Sequence, residues 1–286
     1  MRQYLSFVLI LLTFSVALAQ NNRFFYEYKY KLDSLHRDSI KTEMMVLDVS
    51  KDGSFFQSQV KLVSDSITTE IFKKAKQTGS YNIDFTSVKF PKVNLDVVKS
   101  YPGFTTTVYL PIDSELFALT TEKLNWKIWP DKSEIEEVKV QKATTDFGGR
   151  HWIAWFANDI QIQDGPYRFS GLPGLILKIE DTKGDHSFIF KGNRKRNDEN
   201  LNLPPKPFSR AIAVSDKKFN EQWNAYKKDP AGGLRKAKSG GNGTIVAVAT
   251  FGGKSMDSPE MIKQTEKEAK ERFAKENNPI ELTLYK

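Results

Sequence analysis

The sequence predicts a mainly β fold of the α+β class. We expect one large antiparallel sheet, curved into a half-barrel, with a few peripheral helices added in the C-terminal third. Segments with strand composition fill the first two thirds of the 286 residues, and helical patterns dominate only afterwards. A run of strands without regular intervening helices favours an antiparallel sheet over a βαβ fold. We find no internal repeat, and we expect a single domain over residues 20–286.

The opening residues predict an antiparallel meander with an aromatic face. Residues 24–32 alternate as a half-buried strand, so that every second side chain shares one face. That face holds Phe24, Tyr26, Tyr28, Tyr30 and Leu32. Strands over 42–49 and 54–63 follow, joined at Asp52-Gly53, which is a strong hairpin signal. A face this rich in aromatic rings suits a wide cavity or a groove.

Shorter patterns predict the remaining elements. The other predicted strands cover residues 105–110, 123–129, 134–142, 150–156, 175–180, 186–190, 244–251 and 280–285, and Pro130 is expected to end the strand over 123–129. Helices are predicted over 66–77, 215–228 and 258–276. Ser215 is a credible N-cap, and Pro259 suits the first turn of the last helix. Residues 231–243, rich in glycine and lysine, are predicted as a loop.

The stretch over residues 165–180 has the most specialised backbone chemistry. In Leu172-Pro173-Gly174-Leu175, proline and glycine stand where a type II turn needs them, with Gly174 at positive φ. We assign a structural role to Gly165, Pro166, Gly171, Leu172, Pro173, Gly174, Leu175 and Ile176. A tight corner of the sheet would explain this run. A preorganised loop that presents Tyr167 and Arg168 to a ligand would explain it as well.

The hexapeptide at residues 171–176, Gly-Leu-Pro-Gly-Leu-Ile, is letter for letter the motif that names the GLPGLI family of Bacteroidetes envelope proteins. The chain resembles this family over roughly residues 26–282. Further stretches similar to the family pattern are Trp126-x-Ile128, Lys142-Ala143, Phe147-Gly148-Gly149-Arg150, Ala154-Trp155-Phe156, Gly165-Pro166 and Asn278-Pro279-Ile280-Glu281-Leu282. The resemblance implies an exported protein of unestablished biochemical function. Many members carry a cysteine shortly before the Lys-Ala pair, but this chain has none, so no thiol role is carried over.

The first nineteen residues predict a cleavable signal peptide. Arg2 provides a positive charge, residues 5–16 are apolar, and Ala17-Leu18-Ala19 fits a cleavage site ahead of Gln20. The apolar run is short for a transmembrane helix, although an uncleaved anchor is the alternative. We therefore expect a soluble mature protein in the periplasm or outside the cell. No cysteine follows the cleavage site, which excludes a lipoprotein anchor.

Positive charge is concentrated in one segment. Residues 191–238 hold 13 Lys or Arg against 5 Asp or Glu, an excess equal to the formal net charge of +8 of the whole chain. We expect residues 191–243 to form a basic segment rich in loops and linkers. Such a segment suits contact with anionic lipid or an acidic polymer, or it is a solvated linker. No nucleic-acid partner is expected, because no binding motif of that kind is present.

Catalytic and metal-binding motifs are not found in the sequence. Gly253-Lys254-Ser255 would need a glycine at position 248 to complete a phosphate-binding loop, and that residue is Val248. The three histidines are far apart in the sequence, and there is no paired metal-ligand spacing. We therefore predict a protein that is not an enzyme and has no cofactor and no metal.

The residues around the rigid turn are the candidates for contact with a ligand or a partner. They are Arg150, Trp155, Asp159, Asp164, Tyr167 and Arg168. Arg168 could bind an anion through two parallel hydrogen bonds, or it could only form a local salt bridge with Asp164. Trp155 belongs to a group of four tryptophans within residues 126–155. These rings would anchor a core or form a platform for carbohydrate or peptide.

Three functions remain open at this point. The first is an exported, non-enzymatic binding or accessory protein of the cell envelope, with an outer-membrane or other envelope protein as its partner. The second is a carrier of an apolar or lipid-like ligand in a half-open sheet, which requires a cavity of several hundred Å³. The third is a carboxylate-dependent hydrolase, which requires Asp159 and Asp164 to form an acid pair in a cleft.

Overall fold

The computed structural model describes residues 21–79, 82–113, 115–121, 123–196, 210–239, 248–251, 254–255 and 258–286. The predicted signal peptide over residues 1–19 and its cleavage site between Ala19 and Gln20 lie outside these ranges, as do residues 197–209 of the basic segment. None of the helices in the described ranges is both long and apolar enough to cross a bilayer.

The main body of the protein is one large sheet, as predicted. The strands of the described chain are β1 (Asn22–Tyr30), β2 (Lys41–Val49), β3 (Gly53–Ser58), β4 (Asn82–Asp84), β5 (Asp96–Ser100), β6 (Thr105–Ile112), β7 (Glu115–Thr121), β8 (Lys127–Ile135), β9 (Val138–Phe147), β10 (Arg150–Ala157), β11 (Leu175–Asp181), β12 (His186–Lys195), β13 (Ile212–Ala213), β14 (Val248–Phe251) and β15 (Lys254–Ser255). Twelve of them form the sheet, in the order β13-β7-β6-β5-β3-β2-β1-β12-β11-β10-β9-β8. Neighbours are antiparallel except β13 and β7, which are parallel. Strands β15, β14 and β4 form a small second sheet.

The helices of the described chain are α1 (Gln59–Thr78), α2 (Asp216–Lys228), α3 (Gly232–Ser239) and α4 (Pro259–Lys275). Three of them lie in the C-terminal third, which confirms the predicted order of elements. Ser215 caps α2 by accepting a hydrogen bond from the Lys218 amide at 3.3 Å, and Ser258 caps α4 with Pro259 in its first turn. The Ser215 cap and the place of Pro259 in the first turn of α4 were predicted from the sequence.

The sheet curves around the loop of residues 158–174, which connects β10 and β11 and is called the inner loop below. Strands β5 and β9 are seven spacings apart in the sheet order, about 34 Å if the sheet were flat. Nevertheless, one tight turn of the inner loop contacts both strands. Asp164 pairs with Lys99 of β5 at 2.5 Å, and the Phe169 ring centroid lies 5.8 Å from that of Phe147 in β9. The inner face of the sheet therefore encloses the inner loop.

The core lies on this inner face. The alternating aromatic residues of β1 are buried as predicted, and the rings of Tyr28 and Tyr30 stack with centroids 4.7 Å apart. Leu175, Leu177 and Ile179 of β11 are also fully buried, which confirms the strand expected after the Pro-Gly bend. Packing of these rings and aliphatic chains supplies most of the apolar burial that stabilises the sheet.

Two predicted strands end or begin elsewhere. The strand expected over 54–63 ends at Ser58, because the Ser58 hydroxyl oxygen accepts from the amides of Val60 and Lys61 and starts α1 there. The strand expected over 123–129 begins only at Lys127, and it continues through Pro130 to Ile135. Strand β8 lies at the sheet edge, where the missing N–H of proline leaves no ladder bond unmade.

A hairpin interrupts the strand predicted over 134–142. Ile135 of β8 pairs with Val138 of β9, so Glu136 and Glu137 form a two-residue connection. Both have positive φ, 47° and 63°, which is the backbone of a type I′ turn. The prediction was wrong here because this turn has no glycine or asparagine to mark it.

Three C-terminal predictions also need correction. Residues 232–239 form α3, whereas a loop was predicted over 231–243; residues 240–243 lie outside the described ranges. The strand predicted over 244–251 is described only as β14, from Val248 onward. Residues 280–285 form turns and not a strand. The reason is that the carbonyl oxygens of Pro279 and Ile280 accept hydrogen bonds from the Arg150 side chain and not from a neighbouring strand.

Candidate functional site

The part of the inner loop that holds the predicted site residues Asp164, Tyr167 and Arg168 is buried and does not present them to solvent. Every residue from 164 to 170 is buried against the inner face. Gly171 has the positive φ, 92°, that was expected of Gly174. A Cβ at Gly174 would lie 2.1 Å from the carbonyl oxygen of Ala157, and the Gly174 amide donates to Leu172 at 2.8 Å. The type II turn was therefore the wrong interpretation: glycine is needed at 174 for close backbone approach.

Lys99 anchors the inner loop to the far side of the sheet. Its side chain is fully buried, and its ammonium donates to Asp164 Oδ1 at 2.5 Å, to the Gly165 carbonyl at 2.6 Å and to the Phe169 carbonyl at 3.4 Å. The Tyr101 hydroxyl donates to the other oxygen of Asp164. Burial lowers the pKa of Lys99, and the neighbouring Asp164 carboxylate opposes that shift. Asp164 is thus an internal anchor and not a surface acid.

Arg150 fixes the C-terminal segment, residues 278–285, to the sheet. Its guanidinium donates to Asp181 at 2.9 Å, to the Asn278 side-chain oxygen at 2.6 Å, and to the carbonyls of Pro279 and Ile280 at 2.7 and 3.1 Å. All three guanidinium nitrogens are engaged, and the side chain is almost completely buried. Arg150 therefore acts in the described structure as a connector between chain segments.

Tyr167 and Arg168 both bind Glu281 of the C-terminal segment. Arg168 Nη1 lies 2.7 Å from Glu281 Oε1, and the Tyr167 hydroxyl donates to the same oxygen. Burial and then the Glu281 charge raise the pKa of Tyr167 well above its ordinary value. The predicted local pair between Arg168 and Asp164 is not formed, because each has a different partner.

The two remaining predicted residues, Trp155 and Asp159, take no part in these buried ion pairs. Trp155 is half-buried on β10, and Asp159 is exposed in the first part of the inner loop. Asp159 is exposed and Asp164 is fully buried in an ion pair, so they do not form the acid pair that a hydrolase would need. Of the tryptophan group, Trp152 is fully buried, and the other three are half-buried.

A cavity of about 450 Å³ lies beside the inner loop, between the inner face of the sheet and the helices α2 and α4. Its floor is a stack of aromatic rings. The Tyr28 and Phe188 centroids are 4.2 Å apart at 8° to each other, and Tyr167 lies nearly parallel to Phe188 at 6.4 Å. Tyr30 extends the stack and also lines the cavity. The aromatic alternation of β1 was the sequence signal for this cavity.

The opposite wall was not anticipated from the sequence as part of a site. Trp223 of α2 meets Phe273 of α4 edge to face at 5.4 Å and Tyr285 of the C-terminal segment at 5.2 Å. These residues are separated by up to 62 positions in the chain, and only the fold brings them together. Trp223, Phe273 and Tyr285 all line the cavity, so their packing leaves part of their surface facing open space.

His186 contributes a neutral imidazole to the cavity lining. Its Nε2 lies 3.1 Å from the Asn278 carbonyl oxygen, which can only accept, so Nε2 carries the proton. Nδ1 then accepts from the Tyr28 hydroxyl at 2.7 Å. Burial, with a smaller contribution from Arg150, lowers the pKa of His186 to about 4. The imidazole is therefore uncharged at neutral pH.

Charged groups lie at the mouth of the cavity. Lys92, Lys227 and Glu276 line it together with Asn277. Within the described ranges, no group of three or more His, Cys, Asp or Glu side chains is arranged to hold a metal ion. The arrangement can therefore hold an apolar body by contact and a polar group by charge and hydrogen bonds.

The basic segment is partly tied to the sheet in the ranges that the structure describes. Lys191 lies 3.6 Å from Glu27, and Arg196 lies 2.7 Å from Asp48. Arg235 of α3 pairs with Asp229 and Glu266. Contact of residues 191–238 with anionic lipid or polymer stays a prediction.

Residues 98–178 match the model of a family described as a protein of unknown function (Porph_ging), which includes the inner loop. Among solved structures, "Structure of PNGF-II in P21 space group" is similar at 13% identity, covering 71% of this chain and 33% of that chain, with a TM-score of 0.48. "Structure of PNGF-II in C2 space group" gives 13% identity, 71% and 32% coverage, and a TM-score of 0.47. The chain thus spans about a third of these structures. No curated protein matches it.

Proposed function

We propose that this protein is an exported, non-enzymatic binding protein of the cell envelope that takes a small, mainly apolar ligand into the cavity beside the inner loop. The observation that carries this proposal is the cavity itself. Its volume of about 450 Å³ falls within the range of ligand pockets, roughly 300–1,000 Å³. Aromatic rings form both its floor and its opposite wall.

The charged residues in and around the inner loop are not available to a ligand, which supports a binding site in the cavity instead. Arg150, Asp164 and Arg168 already have buried partners within the protein, so a ligand would have to displace them. Breaking a buried charge pair costs about 3–5 kcal/mol. A ligand that buries about 200 Å² of apolar surface in the cavity would instead gain about 5 kcal/mol before the costs of association.

The titratable groups near the cavity support a binding role and not a catalytic one. Both ring nitrogens of His186 are engaged, and the low pKa of its imidazole leaves it neutral. A general acid or base needs a pKa near the working pH and access to the substrate. The hydrolase hypothesis, which depended on Asp159 and Asp164, has no supporting geometry.

Ligand uptake is testable with N-phenyl-1-naphthylamine, an uncharged probe that fluoresces in apolar sites. The mature chain, residues 20–286, should bind it saturably. Val93→Trp places an indole at a half-buried position of the cavity lining and should abolish binding. Val63→Trp, at an exposed position of α1, is the matched control and should bind like the wild type. Equal loss in both variants, or no saturable binding by the wild type, would contradict the proposal.

Export is a separate part of the proposal. In a bacterium that expresses the full chain, the mature protein should be recovered outside the cytoplasm with Gln20 as its first residue. Ala19→Arg should block cleavage, because the site requires a small residue there, whereas Ala19→Ser should not. N-terminal sequencing of fractionated cells measures both. A protein that keeps residues 1–19 and stays in the cytoplasm would contradict this part alone.

A further inference from the structure

The mouth of the cavity carries two lysines that have no acidic partner among the described residues. Lys227 projects from α2 and is half-buried, and Lys92 approaches from the segment before β5. Within the described ranges, neither ammonium lies within 4.0 Å of a carboxylate. Lys227 is half-buried and lines the cavity together with Trp223 and Phe273, and an anion bound in such a partly desolvated place interacts with a lysine more strongly than one in bulk water.

The other titratable groups of the lining do not cancel this charge. Glu276 is the only carboxylate among the described lining residues, and its Oε2 lies 3.8 Å from Arg272 Nε. His186 is neutral for the reasons given above. The mouth therefore has an excess of positive charge, while the floor behind it is apolar.

We infer that the ligand is an amphiphile with a single anionic head group, a carboxylate or a phosphate. Its apolar body lies on the stack formed by Tyr28 and Phe188, and its head group is held by Lys227, with Lys92 nearby. This inference rests on the proposed binding function. Aromatic rings can also hold a cation, but the two lysines would repel a cationic head group at this mouth.

A set of ligands with one chain length tests the head group. Decanoate, decyl phosphate, decanol and decyltrimethylammonium, each below its micelle concentration, compete with N-phenyl-1-naphthylamine for the mature chain at pH 7.5. Either anion should compete at roughly threefold to tenfold lower concentration than decanol, in keeping with one ion pair at a partly exposed site. The cation should compete least well. The anion that competes better identifies the head group.

Lys227→Met tests the assigned residue, because methionine keeps the apolar stem and removes the charge. It should abolish the preference for the anions and leave decanol unchanged. Lys228→Met is the matched control, since Lys228 is the next residue, is exposed and does not line the cavity. Lys92→Met should give a smaller loss than Lys227→Met, because Lys92 is exposed.

The outcomes separate this inference from the proposed function. If decanol and the anions compete equally, the cavity binds ligands but the charge assignment is overturned. If the cation competes best, Glu276 and the rings recognise the head group and the inference is wrong. If Lys228→Met weakens the anions as much as Lys227→Met, the effect is general surface charge. If the probe does not bind at all, the proposed function fails first.

Discussion

The inner loop and the cavity lie side by side, share Tyr167, and are built in opposite ways. Around the inner loop, charged side chains are buried and each charge has a partner: Lys99 with Asp164, Arg150 with Asp181, and Arg168 with Glu281. Around the cavity, aromatic rings stack but leave space, and the lysines at its mouth have no acidic partner in the described ranges. The difference teaches that the stretch with the most constrained sequence holds the fold together.

The surroundings of the inner loop differ from an ordinary apolar core because buried ion pairs determine which chain segments meet there. A buried ion pair contributes little to stability compared with apolar residues, but it specifies which segments meet. Here the ion pairs join β5 to the inner loop, β10 to β11, and the inner loop to the C-terminal segment. The cavity beside them depends on this arrangement, because Tyr167 and Ile280 line it.

The largest expected effect is at Lys99. Lys99→Met leaves the Asp164 carboxylate buried without its ammonium partner and should lower the free energy of unfolding by about 3–5 kcal/mol. Urea denaturation measures this loss. The double variant Lys99→Met/Asp164→Leu removes both charges and should recover part of it. Lys227→Met at the cavity mouth should change stability by less than about 0.5 kcal/mol. Similar losses for Lys99→Met and Lys227→Met would remove the distinction between the two regions.

The next effect depends on pH and concerns His186, which lies at the border of both regions. Its pKa is about 4 in the folded protein and about 6.5 when unfolded. As the pH falls from 6.5 to 4, only the unfolded chain takes up the proton, so this group lowers stability by up to about 3 kcal/mol. Above pH 6.5 its contribution is constant.

His186→Gln isolates this contribution, because it removes the titration and keeps hydrogen-bonding atoms. Urea denaturation of wild type and variant at pH 7.5 and pH 4.5 should show a smaller decrease for the variant. The carboxylates titrate in both proteins, so their effect on the free energy of unfolding cancels in the comparison. An equal decrease in both would mean that burial does not hold His186 neutral in the folded protein.

Two glycines of the inner loop should respond differently to asparagine. Gly174→Asn should destabilise the protein by about 1–3 kcal/mol or more, because the new Cβ meets the Ala157 carbonyl. Gly171→Asn should cost less than about 1 kcal/mol, since asparagine tolerates positive φ and no atom lies within 4 Å of the added Cβ. Thermal unfolding ranks the two. If Gly171→Asn were the more destabilising of the two, the interpretation of Gly174 as the positive-φ residue of a type II turn would be favoured again.

The sequence was informative where the signal is local. The alternation in β1, the strand of Leu175 to Ile179, the N-cap Ser215 and the place of Pro259 in α4 were all predicted, since each depends on residues within one element. The partners of Arg168 and Asp164 were not, because Glu281 lies 113 positions from Arg168 and Lys99 lies 65 positions from Asp164. The periodic patterns of a sequence indicate helices and strands, and they do not predict contacts between residues so far apart in the chain.

The candidate site follows the same rule. The aromatic face of β1 indicated a cavity, but its opposite wall comes from α2, α4 and the C-terminal segment, whose packing depends on the whole fold. The prolines and glycines of residues 165–176 indicated the inner loop, because these residue types mark specialised backbone geometry in a sequence. Empty space is not visible there, since a cavity and a filled core need the same apolar residues.

The smallest loss of stability is expected at Tyr167. This prediction tests the comparison most directly, because Tyr167 belongs to the inner loop and also lines the cavity. Tyr167→Phe removes the hydroxyl that donates to Glu281 and keeps the ring that faces Phe188. The free energy of unfolding should fall by about 1.5 kcal/mol, the lower end of the range for a hydrogen bond to a charged group, because Glu281 keeps Arg168 as a partner. Binding of N-phenyl-1-naphthylamine should not change, since the floor of the cavity keeps its shape. Tyr167→Leu, which also removes the ring, should weaken both. If Tyr167→Phe alters probe binding while stability is unchanged, the hydroxyl serves the ligand and the two regions are one site.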